Sequence, residues 1–312
     1  MDIVLLFPGQ GSQKPGMAKD LAEAHPAAGE LLRGIDRTLG IPLSTLCFEG
    51  PADELTWTHN AQPALLAHGL AVWAVVRDGI APHVRAAAGH SLGEFTAYAA
   101  AGALSPPAAA KLVRRRGELM REAGKTRPGA MAAIIGMLTT PIEALCERAS
   151  REAGTVVPAN YNSPEQVVVS GEVAGVDRAM ELTKEAGAKR VVKLQVSGAF
   201  HSPLMEYAQP GLGEALVAAA MRAPVFPVVS NVTARPVTQA SEAQSLLLRQ
   251  LTSPVRWTDV VGYLAAQYPG ALFVEMGPGS VLTGLMKRIA PAVATMACGT
   301  AAEVDQLLAK VS

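Results

Sequence analysis

A serine between two glycines is the residue of this chain best placed for covalent chemistry. It lies in Gly89-His90-Ser91-Leu92-Gly93, where a run of small residues meets a helical pattern. This spacing is typical of a sharp strand-to-helix turn that exposes a nucleophile, because glycine neighbours allow the tight backbone approach. The Leu92 N–H at the start of the helix would then point at an oxyanion on the attacked carbonyl. A serine that only caps a helix gives the same pattern, so the motif alone leaves both interpretations open.

A serine hydroxyl needs a neighbouring base before it can attack a carbonyl, and His201 is the best candidate. It lies in a loop of small and polar residues at 197–203. His90 would point away from Ser91 at a sharp turn, so we expect it to pack or hydrogen-bond nearby. We expect the remaining histidines to be hydrogen-bonded within the protein or exposed to solvent; they are His25, His59, His68 and His83. The acids between positions 91 and 201 fall mostly on predicted helices or in the segment 126–196, so no acidic third member of a triad is predicted.

An arginine on the buried face of a predicted helix indicates a bound anion. The helix is predicted to start at Ser105 and Pro106, which suit an N-cap and a first helical residue. Arg116 lies on its apolar stripe, which comprises Ala109, Leu112, Val113, Leu119, Met120 and Ala123. Because buried guanidinium groups are seldom unpaired, Arg116 needs either a structural ion pair or an anionic ligand.

Composition indicates an α/β enzyme with a core of Ala, Val and Leu. Of the 312 residues, 49% are hydrophobic, 17% charged and 4% aromatic. The 27 basic and 27 acidic residues cancel, which gives no global field for nucleic acid or a membrane surface. The spacing of cysteines and histidines predicts reduced core thiols and no metal site. The apolar run at 3–7 is too short for a signal peptide or a membrane span, so we expect a cytoplasmic protein.

Hydrophobic patterns predict a mostly parallel sheet built from segments on either side of position 126. Strands are predicted at 3–7, 84–88, 226–231 and 272–276, with an edge strand at 293–298. Helices are predicted at 17–39, 64–77 and 204–221, the second with Pro63 in its first turn. The glycine-rich loop at 8–13 lacks the spacing of a phosphate-binding loop. A further loop is predicted at 250–257.

The segment 126–196 has a self-contained order of elements. Strands are predicted at 130–137, 156–161, 166–170 and 190–196, with helices at 140–153 and 173–186. This βαββαβ order is the signature of a ferredoxin-like unit. We therefore predict an α/β hydrolase-like domain at 1–125 and 197–312, with a nucleophile elbow, and an inserted ferredoxin-like domain at 126–196.

Eight blocks in order resemble the malonyl-CoA:acyl carrier protein transacylases, the acyltransferases that supply malonyl units for fatty acid and polyketide synthesis. Each block is weak alone, but together they span nearly the whole chain. They are FPGQGSQ at 7–13, GHSLGE at 89–94, RRRGELM at 114–120, GAMAAIIG at 129–136, NYNSPEQVVVSG at 160–171, GAFHSPLM at 198–205, PVVSN at 227–231 and GPGSVLTGL at 277–285. The family's fold, as the resemblance implies it, is a hydrolase-like α/β domain with a ferredoxin-like insert.

The resemblance implies a role for each residue of the predicted site. Ser91 would be the acylated nucleophile and His201 the general base and acid. The backbone N–H groups of Gln10 and Leu92 would form the oxyanion hole. Arg116 would clamp the malonyl carboxylate, supplying the anion that its helix face lacks.

Two further positions carry over from the family. The backbone carbonyl of Gln250 would orient His201 where other hydrolases use an aspartate. Phe200 resembles the malonyl-selective form of its loop, because a bulky ring leaves little room for an α-methyl branch; an aromatic that only packs under the loop would look the same. The substrates would be malonyl-CoA and acyl carrier protein, with no metal or cofactor, and we expect a monomer.

The sequence leaves several alternatives open. A malonyl transferase subunit of a malonate decarboxylase, or a discrete polyketide synthase acyltransferase, would use the same chemistry. A serine hydrolase or thioesterase is an alternative from a second class of function, and the presence of Arg116 argues against it. A catalytically dead carrier-binding module fits poorly with Ser91, His201 and Arg116 together. Basic residues that could dock acidic carrier protein, or could be solvated surface charge, are Lys184, Lys189, Arg190 and Lys193, and Lys287 with Arg288.

Overall fold

The computed structural model describes residues 1–311. Those residues form ten strands: β1 (Ile3–Phe7), β2 (Val84–Gly89), β3 (Gly129–Ile135), β4 (Val156–Ser163), β5 (Gln166–Glu172), β6 (Arg190–Lys193), β7 (Val228–Val229), β8 (Pro236–Val237), β9 (Leu272–Met276) and β10 (Ala294–Cys298). They also form fourteen α-helices: α1 (Lys19–Ala24), α2 (Pro26–Leu39), α3 (Leu43–Glu49), α4 (Ala52–Thr56), α5 (Thr58–Ile80), α6 (Leu92–Ala100), α7 (Pro106–Thr126), α8 (Ile142–Ala153), α9 (Val173–Glu185), α10 (Gln209–Ala218), α11 (Ala240–Gln250), α12 (Trp257–Gln267), α13 (Val281–Ile289) and α14 (Ala301–Val311).

The first sheet has the strand order β10-β9-β1-β2-β7-β8. Its neighbouring strands run parallel except β7 and β8, which are antiparallel. Alternate residues of β1 pack into two different buried clusters, so both faces of this central strand are covered by helices. Phe7 at the end of β1 pairs with Gly89 at the end of β2. The loop at 8–13 and the turn that carries Ser91 therefore start from the same edge of the sheet, where open α/β sheets bind ligands.

The second sheet is antiparallel, with the strand order β4-β5-β3-β6. Its chain order, β3-α8-β4-β5-α9-β6, is the βαββαβ order predicted for 126–196. On β3, Ala132 and Ile134 pack with α8 and α9, whereas Met131 and Ala133 face the main core. The predicted fold class is confirmed. The domain boundaries at 126 and 197 stay a prediction.

Two predicted helix boundaries were wrong, and prolines account for both. The helix predicted at 17–39 is two helices, because His25 is extended (φ −125°, ψ 108°) and Pro26 starts α2. The helix predicted at 64–77 begins at Thr58, so Pro63 lies inside α5. Pro63 has no N–H for the carbonyl of His59, and Arg114 Nη1 donates to that carbonyl instead, at 3.0 Å.

The chain after the insert also departs from the predicted pattern. The helix predicted at 204–221 is a 3-10 segment, Pro203–Ala208, followed by α10; Pro210 has no N–H to continue the bonding across this junction. The strand predicted at 226–231 is shortened to β7. Helices α11 and α12 were not predicted, and Gln250 ends α11 instead of lying in a loop.

The stretch Thr58–His83 is long and apolar enough to cross a membrane by length and composition alone. In the structure, 61% of its most apolar window is buried inside the protein, and α5 residues such as Leu66 and Leu70 belong to the main core. Core packing therefore accounts for its apolar character. The three cysteines are buried free thiols, as predicted: Cys47, Cys146 and Cys298.

Candidate active site

Ser91 lies on a strained turn between β2 and α6. Its backbone has φ 50° and ψ −104°, a conformation that costs free energy for a residue with a Cβ. A Cβ on Gly89 would lie 1.9 Å from the carbonyl carbon of Gly93, and a Cβ on Gly93 would lie 2.0 Å from the carbonyl oxygen of Phe7. The two glycines of the motif are therefore required by close backbone approach, as the sequence predicts.

Asn231, which follows β7, stabilises this turn from both sides. The Ser91 N–H donates to Asn231 Oδ1 at 2.7 Å, and Asn231 Nδ2 donates to the Gly89 carbonyl at 2.8 Å. Asn231 is fully buried, so both bonds are shielded from water. Its side chain compensates the strain at Ser91 by satisfying the backbone groups that the turn leaves unpaired.

His201 contacts the Ser91 hydroxyl directly. Its Nε2 lies 2.7 Å from Ser91 Oγ, and its Nδ1 lies 2.9 Å from the backbone carbonyl of Gln250. Since a carbonyl only accepts, Nδ1 carries the proton and Nε2 is left to accept the hydroxyl proton. Burial and the charge of Arg116 lower the pKa of His201 to about 3, so the imidazole is neutral at physiological pH.

Arg116 reaches the same hydroxyl from α7. Its Nη2 donates to Ser91 Oγ at 3.2 Å and to Gln250 Oε1 at 2.9 Å, and its Nη1 donates to Gln62 Oε1 at 2.8 Å. The guanidinium is 1% exposed and lies 5.0 Å from the centre of the Phe95 ring. Burial lowers its pKa to about 10, so the group stays charged near neutral pH. Its acceptors within residues 1–311 are thus a hydroxyl and two amides, and none of them is the anion that a buried arginine requires.

Gln250 connects His201, Arg116 and Ser91. Besides the two contacts above, its Nε2 donates to the Ser91 carbonyl at 3.0 Å and to Glu94 Oε2 at 2.7 Å. Glu94 is fully buried in the first turn of α6, and its Oε2 also accepts the Asn231 N–H at 3.1 Å. Burial raises the pKa of Glu94 to about 7, against the opposing effect of these hydrogen bonds and of Arg116.

A cavity of about 350 Å³ opens onto Ser91. Its walls include the other predicted site residues, Gln10, Leu92 and Phe200, together with Arg116 and His201. Leu92 is the first residue of α6, so its N–H precedes the hydrogen bonds of the helix and is available to a ligand. All seven predicted site residues thus converge on one cavity or on the groups that line it.

Two further histidines, His90 and His68, have hydrogen-bond partners other than the Ser91 hydroxyl. His90 Nε2 bonds Asn162 Oδ1 at 2.8 Å and the ring packs on Trp257, as expected for a side chain turned away from Ser91. His68 is buried and bonds the Gly299 carbonyl at 2.7 Å. Within residues 1–311, no group of three or more His, Cys, Asp or Glu side chains is placed to hold a metal ion.

Four buried polar side chains around the site were missed by the sequence reasoning: Asn231, Glu94, Gln62 and Asn162. Their contacts join residues up to 156 positions apart, and no periodic pattern brings such residues together. A usable signal was a polar residue within an apolar pattern, such as Gln62 on α5. That signal marks burial, but it does not identify the partner.

Known proteins match the chain over nearly its whole length. The acyl transferase domain family matches residues 4–302. The malonyl CoA-acyl carrier protein transacylase of Bacillus subtilis (strain 168) is 47% identical over 296 residues, which cover 95% of this chain and 92% of that protein. The crystal structure of an acyl-carrier-protein-S-malonyltransferase from Bartonella henselae is 40% identical, with a TM-score of 0.94, over 100% of this chain and 99% of that one.

A further solved structure holds a malonyl-transacylase in complex with a type II polyketide synthase acyl-carrier protein. It is 40% identical, with a TM-score of 0.94, over 99% of this chain and 100% of that one. These matches include the turn at Ser91, the helix of Arg116 and the loop of His201. The chain therefore belongs to the acyl transferase domain family and, within it, to the malonyl-CoA:acyl carrier protein transacylases.

Proposed function

We propose that the protein transfers a malonyl group from malonyl-CoA to the phosphopantetheine thiol of acyl carrier protein, through an ester on Ser91. The observation that carries this proposal is the convergence of a base and a cation on one hydroxyl: His201 Nε2 at 2.7 Å and Arg116 Nη2 at 3.2 Å. The base activates the nucleophile, and the cation binds the free carboxylate of the acyl group. An esterase for neutral acyl groups does not need the buried cation.

The first half of the reaction acylates Ser91. Its hydroxyl oxygen attacks the thioester carbonyl while His201 Nε2 takes the proton, and the carbonyl oxygen becomes an oxyanion. The N–H groups of Gln10 and Leu92 donate to that oxyanion. When the intermediate collapses, the C–S bond breaks, the CoA thiolate receives the proton from His201, and a malonyl ester remains on Ser91.

The second half reverses these steps with another thiol. His201 Nε2 takes the proton of the phosphopantetheine thiol as its sulfur attacks the ester carbonyl. The second oxyanion collapses with loss of the Ser91 oxygen, which recovers the proton from His201. No external oxidant, reductant or metal enters either half, so the expected absence of a cofactor is consistent with the chemistry.

The charge of Arg116 links acyl recognition to the base. It contributes to the low pKa of His201, so a bound carboxylate that offsets this charge makes the imidazole more basic. A bound malonyl group therefore makes His201 a stronger base for its own transfer, whereas an acetyl group does not. Phe200 supports the selectivity, since exclusion of one α-methyl branch is worth about 1–3 kcal/mol.

Acyl carrier protein is the partner that receives the acyl group. Of the candidate basic residues, Arg288 lines a second cavity of about 410 Å³, which shares Gln10 and His90 with the first. Lys193 is less available, because its Nζ bonds Asp177 at 2.6 Å. Arg288 with Lys287 is therefore the better docking candidate. That the working unit is a monomer stays a prediction.

Fatty acid synthesis is the pathway we propose, in the cytoplasm where we expect the protein to act. A polyketide synthase or a malonate decarboxylase would use the same acyl-serine chemistry with a different carrier. Competition between purified carrier proteins for the malonyl-enzyme separates these cases. Preference for a fatty acid synthase carrier supports the proposal, and equal or better transfer to another carrier contradicts this pathway.

Intact-mass measurement tests the proposed ester on Ser91. Wild-type protein mixed with malonyl-CoA alone should gain one malonyl group, and Ser91→Ala should gain none, because an alanine side chain has no oxygen to acylate. Ser12→Ala is a matched control, since Ser12 lines the second cavity but does not contact His201; it should load like the wild type. An equal adduct on Ser91→Ala would refute the nucleophile. Rapid release of CoA with no stable adduct would instead favour the thioesterase alternative.

A further inference from the structure

The carboxyl group of Glu94 is buried, and its two oxygens differ in their hydrogen bonding. Oε2 accepts from Gln250 Nε2 at 2.7 Å and from the Asn231 N–H at 3.1 Å. Oε1 is shielded from solvent and makes no well-formed hydrogen bond among the described residues. The Ser230 hydroxyl acts on the Glu94 carboxyl and favours its ionised form, but burial outweighs this effect, so an ionised carboxylate would still carry a high desolvation cost. Protonation of Oε1 removes the charge and leaves both bonds to Oε2 in place.

One amide group separates Glu94 from Arg116. Gln250 Nε2 donates to Glu94 Oε2, and Gln250 Oε1 accepts from Arg116 Nη2 at 2.9 Å. The amide dipole therefore lies between a carboxyl group and a guanidinium. Within residues 1–311, Glu94 is the acidic group that acts on the buried charge of Arg116.

A malonyl carboxylate brings a second negative charge to the same guanidinium. Two carboxylates beside one buried cation leave a net negative charge in a largely desolvated part of the site, and neighbouring like charges disfavour joint ionisation. Uptake of one proton by Glu94 restores neutrality, with Arg116 positive and the malonyl group negative.

We propose that Glu94 competes with the malonyl carboxylate for the charge of Arg116, which makes Glu94 a specificity-determining residue that takes up a proton when the malonyl group binds. This inference rests on the proposed function, since it assigns the malonyl carboxylate to Arg116. The proton comes from the buffer. By linkage, affinity for malonyl groups falls as the pH rises and Glu94 ionises, whereas affinity for neutral acyl groups does not.

The other titratable groups around Glu94 keep one state near neutral pH. Arg116 on α7 stays charged, with its pKa lowered to about 10, and His201 stays neutral, with its pKa lowered to about 3. Burial raises the pKa of Tyr98 on α6 far above its usual value, and Glu242 of α11 acts on Tyr98 in the same direction. Glu94, whose pKa burial raises to about 7, is the group of this set that changes charge between pH 6 and pH 8.

The test compares malonyl-CoA with acetyl-CoA as acyl donors across that pH range. The ratio of their kcat/KM values for loading Ser91 isolates the carboxylate, because the CoA phosphates are common to both donors and the His201 imidazole of the free protein is neutral throughout this pH range. In the wild type the malonyl-to-acetyl ratio should fall about tenfold from pH 6 to pH 8. In Glu94→Gln it should stay constant, because glutamine preserves the acceptor for Gln250 and Asn231 but carries no charge.

Glu275→Gln is the matched control. Glu275 on β9 is also fully buried and its pKa is raised by burial, but its oxygens accept from the Leu282 and Thr283 N–H groups, away from Arg116. In Glu275→Gln the malonyl-to-acetyl ratio should fall as the pH rises, as it does in the wild type. A wild-type ratio that does not change with pH, or an equal fall in Glu94→Gln, would overturn the inference.

Proton uptake gives an independent measurement that requires no turnover. Binding of malonyl-CoA to Ser91→Ala is measured by calorimetry at about pH 7.5 in two buffers of different ionisation enthalpy. The heats should reveal net uptake of a fraction of a proton, and Ser91→Ala with Glu94→Gln should show none beyond that of acetyl-CoA. Absence of a malonyl adduct on the wild type refutes the proposed function; a normal adduct with no uptake refutes only the role of Glu94.

Discussion

The turn at Ser91 and the antiparallel sheet of the insert bury polar groups in different ways. Around Ser91, Asn231 and Gln250 are fully buried, and each connects several other groups of the site. In the insert, Ser170 on β5 is equally buried, yet its hydroxyl has no hydrogen-bond partner among the described residues. The ion pairs there lie at the surface, as in Arg178 with Glu152.

This difference separates residues that position chemistry from residues that fill space. A buried polar network costs desolvation free energy and returns it through the hydrogen bonds among its members, so its geometry is specified tightly. The insert depends on apolar packing, with Ala130, Ile134 and Val169 in its core. We therefore expect polar-to-alanine substitutions to reduce activity in the first region and to have little effect in the second.

Arg116→Ala should produce the largest contrast. Loss of the guanidinium removes the proposed partner of the malonyl carboxylate, and truncating one side of a buried charged pair costs about 2–5 kcal/mol. The kcat/KM for malonyl-CoA should fall about 100- to 1,000-fold, whereas the kcat/KM for acetyl-CoA should change by less than about tenfold. Steady-state transfer with each donor measures both values.

Arg114→Ala is the control for that substitution. Arg114 lies two residues away on the same helix, but it donates to Glu118, Asn60 and the His59 carbonyl outside the cavity. It should retain the malonyl preference. If Arg116→Ala keeps that preference as well, the carboxylate binds elsewhere.

Asn231→Ala should have the next largest effect. It leaves the Ser91 N–H and the Gly89 carbonyl without partners, at about 1–3 kcal/mol for each buried group. The strained turn then relaxes, and kcat should fall about 10- to 100-fold with a smaller change in KM, because Ser91, the proposed nucleophile, is misplaced but Arg116 remains. Urea unfolding and steady-state kinetics measure the two consequences. Full activity in Asn231→Ala would show that the backbone alone holds the turn.

Much of the fold follows from the sequence because it depends on local patterns. The strand β9 was predicted with its observed ends, and the order of the insert's elements was predicted in full. Errors arose where a contact distant in sequence decided the outcome. Pro63 lies inside α5 because Arg114 satisfies the carbonyl that Pro63 cannot, and no pattern around position 63 reveals that.

The candidate site likewise contains residues that local sequence patterns predict and residues that depend on contacts distant in sequence. The motif around Ser91 predicted the turn, since a Cβ on either of its glycines would lie only 1.9–2.0 Å from a backbone atom. The stripe on α7 predicted that Arg116 is buried, and the family resemblance supplied its proposed anion. Glu94 and Asn231 lie within the blocks that resemble the family, but the sequence assigns neither of them a role. Their importance depends on hydrogen bonds to Gln250 and Ser91 that only the folded chain brings together.

Ser170→Ala should have the smallest effect, and the opposite sign to Asn231→Ala. Both residues are fully buried and polar, and Ser170 pairs with Met131 of β3 on the side of the sheet that faces the main core. Because the Ser170 hydroxyl has no partner among the described residues, alanine removes a desolvated polar group without breaking a bond, which is neutral or stabilising. The free energy of unfolding should be unchanged or should rise by up to about 1 kcal/mol, with activity retained. A loss of more than about 1 kcal/mol would mean that the insert also depends on its buried polar groups, and the contrast between the two regions would fail.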